Sequence, residues 1–300
     1  MFLGIQLCYL IFYILSHFLS SIHGQNECGK LRESQLYNQK KITEPDEYAW
    51  IGLVGYGDEG PRNVQFKCLS VLINSRYAIL PAQCVTDPEF SNPLIIVFGE
   101  WQAKKSSKSG VCRLEEGFRQ CAPPSQTLDI EELVVHPGYL KSHELKYNLA
   151  LAKLDRDVEL SEFVHPICLP PAEGDKENHI AQILHMAGFR RSGFRFNWKE
   201  DDYFRQKIKV TTTSLRYCLL KILIPIGLTE NNLCAVKDTQ YELFPGSPLM
   251  GIDVVDGNPQ NFYLVGILIT SLGNSESETE LSILLRLAPF RTWILNNIQN

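Results

Sequence analysis

The 300-residue sequence lacks several features that would point to particular functions. It has no excess of positive charge, since 29 Lys and Arg against 34 Asp and Glu give a net charge of −5. That balance predicts no nucleic-acid partner, because nucleic acids bind basic surfaces. None of its nine cysteines lies in a Cys-x-x-Cys pair, so the spacing does not favour a zinc site. The remaining composition, 44% hydrophobic and 21% charged, is typical of a globular chain with a sizeable core.

The first 24 residues form a long apolar stretch. Small residues at 20–24 offer a cleavage site, which is typical of a secretory signal peptide. Because no Lys or Arg precedes the apolar run, a retained signal-anchor helix is the alternative. No later segment is long and uncharged enough to span a bilayer. We therefore expect residues 25–300 to be secreted, with no membrane contact once the leader is removed.

The cysteines support an extracellular location. Cys8 lies in the leader, and the eight that follow form an even set. In a secreted chain an even set predicts four disulfides and no spare thiol. No two histidines lie four residues apart near a carboxylate cluster. The sequence therefore predicts neither a metal nor a cofactor.

Short β-rich runs separated by Gly, Pro and Asp occupy most of the chain. Several such runs at close spacing, with no βαβ alternation, predict an all-β barrel or sandwich. The predicted strands are 51–56, 66–72, 77–81, 94–98, 128–135, 149–154, 183–189, 204–210, 262–269 and 281–287. An apolar-periodic segment at 290–298 predicts a C-terminal helix.

The segment 243–249, Leu-Phe-Pro-Gly-Ser-Pro-Leu, resembles the active-serine loop of trypsin-like (S1 family) serine proteases. In that family the loop runs Gly-Asp-Ser-Gly-Gly-Pro-Leu. The shared Pro248-Leu249 fixes the register and places Pro245 at the position of the nucleophilic serine. Proline has neither a hydroxyl nor a backbone N–H. It can therefore neither attack a carbonyl nor donate to an oxyanion.

Two further motifs resemble those that carry the rest of the family's catalytic triad. Residues 68–84 resemble a strand–turn–strand ending in Ala-Ala-His-Cys and place Gln83 at the general-base histidine. Residues 147–154 resemble Asn-Asp-Ile-Ala-Leu-x-x-Leu and place Asn148 at the aspartate that orients the histidine. A glutamine amide takes up no proton near neutral pH. Asparagine at the aspartate position costs about 10⁴ in rate even where the histidine is present.

The same register implies substitutions around the triad. Leu243 takes the position of the oxyanion-hole glycine, and Phe244 that of the aspartate that pairs with the new N-terminus after zymogen cleavage. Thr239 takes the position at the base of the specificity pocket, so no Asp is left there to bind an Arg or Lys side chain. Tyr241 takes the position of the first cysteine of the disulfide that normally closes this pocket. The resemblance thus implies a degenerate cleft.

The N-terminal segment resembles the zymogen junction of clip-domain proteases from arthropod haemolymph. Cys28-Gly29 and residues 47–50, Glu-Tyr-Ala-Trp, match that junction, and residues 36–39 fall at the Ile-Val-Gly-Gly position. The insertion between 112 and 121 is also typical of this branch. Candidate cleavage points in the segment are Arg32, Lys40 and Lys41.

The resemblance covers residues 28–299 and implies two antiparallel six-stranded β-barrels around a cleft, with a C-terminal α-helix. The barrels are expected at about 45–160 and about 175–290. It also implies the disulfide pairs Cys28–Cys168, Cys68–Cys84, Cys112–Cys121 and Cys218–Cys234.

The substitutions predict a non-catalytic serine protease homologue, or pseudoprotease. Relatives of this kind regulate extracellular proteolytic cascades, such as prophenoloxidase activation (melanisation) and related innate immune signalling. The expected partners are therefore cascade proteases and prophenoloxidase-like zymogens in a haemolymph-like fluid. One alternative is an endopeptidase with Ser247 as a relocated nucleophile. Another is a decoy that binds protease inhibitors or substrates.

Overall fold

The computed structural model describes residues 28–57, 64–88, 93–104, 109–172, 178–191, 199–222, 227–237, 242–272 and 280–298. The predicted leader, residues 1–24, and the two predicted pocket residues, Thr239 and Tyr241, lie outside these ranges.

Two closed antiparallel barrels of six strands each make up the fold. The strands of the first barrel are β1 (Ile51–Tyr56), β2 (Gln65–Leu72), β3 (Tyr77–Leu80), β4 (Pro93–Phe98), β7 (Gln126–Val135) and β8 (Ala150–Leu154). Those of the second are β9 (Ile183–Gly188), β10 (Gln206–Thr213), β11 (Asn232–Lys237), β12 (Pro248–Val255), β13 (Asn258–Leu272) and β14 (Glu280–Arg286). Neighbouring strands follow the orders β1-β2-β3-β8-β7-β4 and β10-β11-β14-β13-β12-β9. The predicted fold class is confirmed.

Aliphatic side chains fill both barrels. Every residue of β1 is buried, because its pleat faces the barrel interior on one side and packed neighbours on the other. The largest core cluster contains Leu53 and Leu151 of the first barrel together with Leu264 and Ile267 of the second. Fully burying one such side chain stabilises the fold by about 1.5–3 kcal/mol. The shared core packs the barrels directly against each other and so fixes the boundary between them, where the resemblance places the cleft.

A two-stranded hairpin lies outside the barrels. It consists of β5 (Val111–Glu115) and β6 (Phe118–Ala122), which pair in antiparallel register. Glu116 and Gly117 form its turn with φ of 51° and 84°, as a tight two-residue hairpin turn requires. The sequence pattern missed this hairpin, because nine of its ten strand residues are half-buried or exposed and the apolar alternation that marks a strand is weak.

Short helices connect the strands. They are α1 (Glu33–Tyr37), α2 (Gln83–Thr86), α3 (Pro137–Ser142), α4 (Leu215–Lys221) and α5 (Arg291–Asn297). Among the described residues, 3₁₀ turns cover Leu145–Tyr147, Glu200–Tyr203 and Ala288–Phe290. The terminal helix predicted from apolar periodicity is thus present, preceded by the last 3₁₀ turn. Among the described residues, no helix has the length and apolar character needed to cross a membrane.

The described residues contain four disulfides, and these join the same pairs that the resemblance implies. The pairs are Cys28–Cys168, Cys68–Cys84, Cys112–Cys121 and Cys218–Cys234. The first spans 140 residues and ties the N-terminal segment to the connection between the barrels. Closing a loop of that length restricts the unfolded chain and is worth several kcal/mol, about 3–5 in chain-entropy terms.

The predicted strands are all found, with ends that shift by a few residues. The largest shift is in β13, which extends to residues 258–272 where the prediction gave 262–269. Besides the hairpin, the sequence pattern missed β11 and β12. β12 begins at Pro248, which is allowed at the first residue of a strand but reads as a strand breaker in the sequence.

Candidate functional site

Gln83 and Asn148 meet at one edge of the first barrel. Gln83 opens α2 just after β3, Asn148 precedes β8, and β3 pairs with β8 up to Leu80 and Ala150. The Gln83 backbone N–H donates to Asn148 Oδ1 at 2.9 Å, and Asn148 Nδ2 donates to Gln83 Oε1 at 2.7 Å. Asn148 is fully buried. The two residues therefore form a reciprocal amide pair where the family resemblance places histidine and aspartate.

The Gln83 side chain also reaches the second barrel. Its Nε2 donates to the backbone carbonyl of Ile269 in β13 at 3.0 Å. The amide oxygen and the amide nitrogen of Gln83 are thus both hydrogen-bonded, one within the first barrel and one across the cleft. Neither atom is a base near neutral pH. This side chain cross-links the barrels, and it has no proton-accepting nitrogen to offer a nucleophile.

The loop that contains Pro245 is anchored to both barrels. Leu69 N–H in β2 donates to Pro245 O, and Gly246 N–H donates to Leu268 O in β13, both at 2.7 Å. Leu268 and Ile269 are neighbours, so the loop and the Gln83 amide bind adjacent carbonyls of β13. The structure therefore brings Gln83, Asn148 and Pro245 together at one site.

Gly246 is required by the geometry of this loop. Its φ is +92°, and a Cβ there would lie 1.9 Å from Leu69 O. A side chain at this position would collide with the backbone of the first barrel, and its conformation is one that L-residues rarely adopt. The backbone path of the loop that contains Pro245 therefore depends on glycine at position 246.

Ser247, the candidate relocated nucleophile, is fully buried. Its Oγ donates to the carbonyl oxygen of Phe244 at 2.7 Å. A Cβ added to Gly188 would lie 2.4 Å from the same Oγ, so the hydroxyl packs against the backbone of β9. This hydroxyl is held by a main-chain carbonyl within the packed interior.

Two apolar side chains flank the loop on its N-terminal side. Leu243 is 2% exposed and belongs to the core of the second barrel. Phe244 packs partly buried against the main core, and its N–H donates to Phe189 O at 3.0 Å. A phenyl ring therefore occupies the position that the resemblance gives to the activation aspartate, and a phenyl ring forms no ion pair with an N-terminal ammonium.

The N-terminal segment is fixed on both sides of two candidate cleavage points, Lys40 and Lys41. Before them, Gln35 is buried in α1 and donates to Glu44 and Asp46, each at 3.0 Å. After them, Ile42 forms a β-bridge with Gln206 of β10. Residues 36–37, expected at the start of the activation sequence, end α1 instead.

Arg32 and Lys40, two of the candidate cleavage points, have acidic partners. Arg32 forms ion pairs with Asp46 and Glu162. Lys40 Nζ lies 2.9 Å from Glu115 of the β5–β6 hairpin. These half-exposed pairs contribute little stability individually, about 0–1 kcal/mol, but they locate the segment on the surface.

A buried cluster of charged and polar side chains lies below this segment. Lys207 Nζ contacts Glu47 Oε1 at 2.5 Å, and Tyr48 Oη lies 2.9 Å from His185 Nδ1. Burial raises the pKa of Glu47, although the Lys207 ammonium opposes that shift. Burial, with the positive charges of Lys207 and Lys209, lowers the pKa of His185 to about 4.

Arg205 is the most buried member of the same region. Its guanidinium donates to the carbonyl oxygens of Pro45, Glu44 and Glu100 and to the Thr43 hydroxyl. Burial lowers its pKa to about 10, and nearby carboxylates oppose the shift. Sequence reasoning missed Arg205 and Lys207, because their partners lie about 160 residues away and neither belongs to a motif.

Two packed six-stranded barrels with a cleft loop bound to both of them define the class of trypsin-like folds. The family profile described as Trypsin matches residues 43–294. The chain therefore belongs to the trypsin family, which confirms the family that the motifs indicated.

The chain is similar to several named proteins. Phenoloxidase-activating factor 3 of Holotrichia diomphalia is 27% identical over 94% of this chain and 78% of the relative. CLIP domain-containing serine protease B9 of Anopheles gambiae is 27% identical over 92% of this chain and 66% of the relative. The crystal structure of the drosophila Grass clip serine protease of the Toll pathway has a TM-score of 0.69 at 20% identity, covering 94% of this chain and 78% of that one. That structural likeness shows the shared fold.

Proposed function

We propose that this protein is a non-catalytic member of the trypsin family that acts through binding, as a cofactor or regulator of an extracellular protease cascade. The observation that carries the proposal is the bonding of Gln83. Both polar atoms of its side-chain amide are engaged, with Asn148 on one side and the Ile269 carbonyl on the other. The position of the general base is thus taken up by a structural cross-link.

The chemistry of acyl transfer supports the same proposal. The reaction needs a nucleophile, a base that takes its proton and donors for the oxyanion. Pro245 supplies no hydroxyl, and the Gln83 amide takes up no proton near neutral pH. Removing single members of a triad leaves residual catalysis from the oxyanion hole and substrate binding. In this chain Leu243 also takes the position of the oxyanion-hole glycine, so we expect the residual catalysis from the oxyanion hole to be weakened as well.

The structure offers little support to the alternative in which Ser247 is the nucleophile. Its hydroxyl is buried and already donates to the Phe244 carbonyl. A nucleophilic serine needs a base within hydrogen-bond reach, about 2.6–3.2 Å. Among the described contacts of Ser247, the hydroxyl's partner is a carbonyl oxygen, which does not act as a base.

The relatives support the role in a cascade. One carries the name phenoloxidase-activating factor 3, and another is a CLIP domain-containing serine protease. We therefore assign this chain to an extracellular cascade of that kind, with cascade proteases and prophenoloxidase-like zymogens as its partners. The disulfides fit a secreted protein, since such bonds persist in oxidising environments.

Labelling with a serine-reactive fluorophosphonate tests the absence of catalysis. The folded, disulfide-bonded protein should not be labelled under conditions in which active trypsin is labelled fully. The matched variant is Ser247→Ala, which removes the remaining candidate hydroxyl. Labelling of the wild type that disappears in Ser247→Ala would overturn the proposal and make Ser247 a relocated nucleophile.

An activity assay of the cascade tests the regulatory role. Purified wild type and Ser247→Ala, added to phenoloxidase activation in extracellular fluid, should change its rate equally. No change with either protein would contradict the regulatory role. The decoy alternative makes a different prediction, namely that immobilised protein retains a serpin or a peptide substrate of trypsin.

A further inference from the structure

Helix α4 is fixed firmly to the side of the second barrel. It follows β10, and the Cys218–Cys234 disulfide joins it to β11. The Ser214 side chain caps its first turn by accepting from Tyr217 N–H at 3.2 Å. Its inner face packs Leu215 and Ile222 against a small buried cluster on β11 and β14. The orientation of the helix is therefore set by covalent and packing constraints.

The opposite side of α4 is apolar as well. Leu220 is 76% exposed, and Tyr217 and Leu219 are 43% and 45% exposed. Within residues 215–222 only Arg216 and Lys221 carry charge. A surface helix normally has one apolar stripe and one polar face, and a helix that is apolar all round is normally buried. The exposed side of α4 thus has the composition of a contact surface.

The two cations frame this surface. At about 100° per residue, Leu220 and Tyr217 lie side by side, with Arg216 on one flank and Lys221 on the other. We name these four residues the α4 outer face. Within the described part of the chain, neither Arg216 nor Lys221 forms an ion pair, and Lys221 Nζ lies 5.8 Å from the centre of the Tyr217 ring. The face is positively charged on a chain of net charge −5.

The two cations of the α4 outer face favour one kind of binding partner over the others. A second copy docked by a two-fold axis would bring the same patch against itself, and its cations would then meet cations. Anionic lipid surfaces are bound by clusters of about four to eight Lys and Arg, whereas this face has two. A protein surface with an apolar groove and acidic residues at its rim complements both the leucine–tyrosine centre and the flanking cations.

We infer that the α4 outer face is the docking surface for a second extracellular protein, one that presents an apolar groove rimmed by acidic side chains. The inference rests on the proposed function, because a regulator that works by binding needs a defined contact surface. Leu220 and Tyr217 are the central contacts, and Arg216 and Lys221 fix the register of the complex.

The probe is the full disulfide-bonded chain carrying p-benzoylphenylalanine at position 220. The matched control carries it at Leu160, an exposed leucine (52%) in the connection after β8. Irradiation in extracellular fluid should give an adduct at position 220 that is absent at 160. The protein in the adduct is identified by mass spectrometry, produced in pure form and titrated against the chain by calorimetry.

Leu220→Asp should weaken that binding by at least about tenfold, because it removes a central apolar contact and places a carboxylate against acidic groups. Arg216→Glu with Lys221→Glu should weaken it further, and Leu160→Asp should leave it within about twofold of the wild type. Thermal unfolding and disulfide mapping of each variant establish that it is folded.

Three outcomes would overturn the inference. These are the absence of a specific adduct at position 220, equal affinity of the wild type and Leu220→Asp for the purified protein, and binding of the wild type to phosphatidylserine vesicles that Leu220→Asp abolishes. The second outcome leaves the proposed function intact and removes only this surface. Fluorophosphonate labelling of Ser247, by contrast, would contradict the proposed function. The adduct at position 220 and the affinity of Leu220→Asp would still test the docking surface independently.

Discussion

Two groups of buried polar side chains stabilise this molecule, and they differ in charge. In the cleft, Gln83 and Asn148 are neutral amides that hydrogen-bond each other and join the two barrels. Below the N-terminal segment, Glu47 and Lys207 form an ion pair. The contribution of a neutral amide pair to the free energy of unfolding does not change with pH. The contribution of a buried ion pair is lost when either partner is removed or titrated. We call the second group, Glu47, Tyr48, His185, Arg205 and Lys207, the N-terminal anchor. We therefore expect the stability of the cleft to depend on geometry and that of the N-terminal anchor to depend on charge.

The largest expected effect is geometric and lies in the cleft loop. Gly246→Ala should destabilise the protein by more than about 4 kcal/mol, in the range that marks a specific structural conflict. The reason is that the added Cβ would overlap Leu69 O at 1.9 Å. The measurement is the free energy of unfolding by urea, or the secreted yield if the variant does not fold.

Gly257→Ala is the matched control for that substitution. Gly257 also has a positive φ, +78°, but an added Cβ would meet nothing within 4 Å. This variant should cost only about 1 kcal/mol, which is the strain of the backbone conformation alone. Equal losses in the two variants would show that the contact with Leu69 is not the cause.

The next largest effect tests the charged anchor. Lys207→Met should cost about 3–5 kcal/mol at pH 7, because Glu47 is left buried and charged without its cation. The loss should shrink as the pH falls below the raised pKa of Glu47, since protonation then removes the unpaired charge. Unfolding free energies at pH 7 and pH 5 measure both predictions.

Two controls sharpen this result. The double variant Lys207→Met with Glu47→Gln removes both charges and should be more stable than the single variant. Lys209→Met changes an exposed lysine of the same strand and should be nearly neutral. A loss for Lys207→Met that is independent of pH would show that packing of the lysine stem, and not its charge, is what matters.

His185 gives the anchor its own pH dependence. Its folded-state pKa is depressed to about 4 from an ordinary value of 6.5, so the neutral form is the one that stabilises the fold. That stability is complete above pH 6.5 and is lost as the pH falls towards 4, by up to about 3 kcal/mol. The raised pKa of Glu47 acts in the opposite direction on acidification.

His185→Gln isolates this contribution. The glutamine oxygen can still accept from the Tyr48 hydroxyl, but the side chain does not titrate. The unfolding free energy of this variant, measured between pH 7 and pH 4, should fall less steeply than that of the wild type. Identical slopes would exclude His185 as the source of the acid sensitivity.

Motifs predicted the cleft, whereas the anchor was visible only in part. Glu47 and Tyr48 lie in a segment that resembles the family, but no sequence signal revealed their partners. Gln83, Asn148 and Pro245 each lie in a segment whose flanking residues resemble the family, so their positions could be inferred without coordinates. Lys207 lies in β10 and Arg205 just before it, and neither belongs to such a motif. Their partners are set by how the N-terminal segment packs on the second barrel, and pairing over about 160 residues leaves no local pattern.

The same reasoning explains which strands were predicted. Strands with continuous apolar burial, such as β1, are apparent from composition. The β5–β6 hairpin has little apolar alternation and is held instead by its disulfide and by ion pairs, for example Lys40 with Glu115. Interactions of that kind become visible only once the chain is folded.

The last comparison tests whether the cleft is as neutral as its geometry indicates. Asn148→Asp keeps the shape but replaces a donor with an acceptor, so Gln83 Oε1 loses the 2.7 Å bond. If the Gln83 amide rotates to restore that bond, it loses its bond to the Ile269 carbonyl. One hydrogen bond is lost either way, at a cost of about 1–3 kcal/mol in the unfolding free energy. Because position 148 is fully buried, the new carboxylate adds a desolvation cost wherever it is ionised.

Adding Gln83→His to Asn148→Asp completes a double-mutant cycle. A histidine can donate to the new carboxylate, so the double variant should recover part of the loss, with a coupling energy of about 0.5–3 kcal/mol. It should also make the cleft sensitive to pH, because an ionisable pair then replaces two amides. If the losses of unfolding free energy are additive and no new pH dependence appears, the side chains at positions 83 and 148 do not interact in the double variant. The amide pair would then not be a simple neutral substitute for histidine and aspartate.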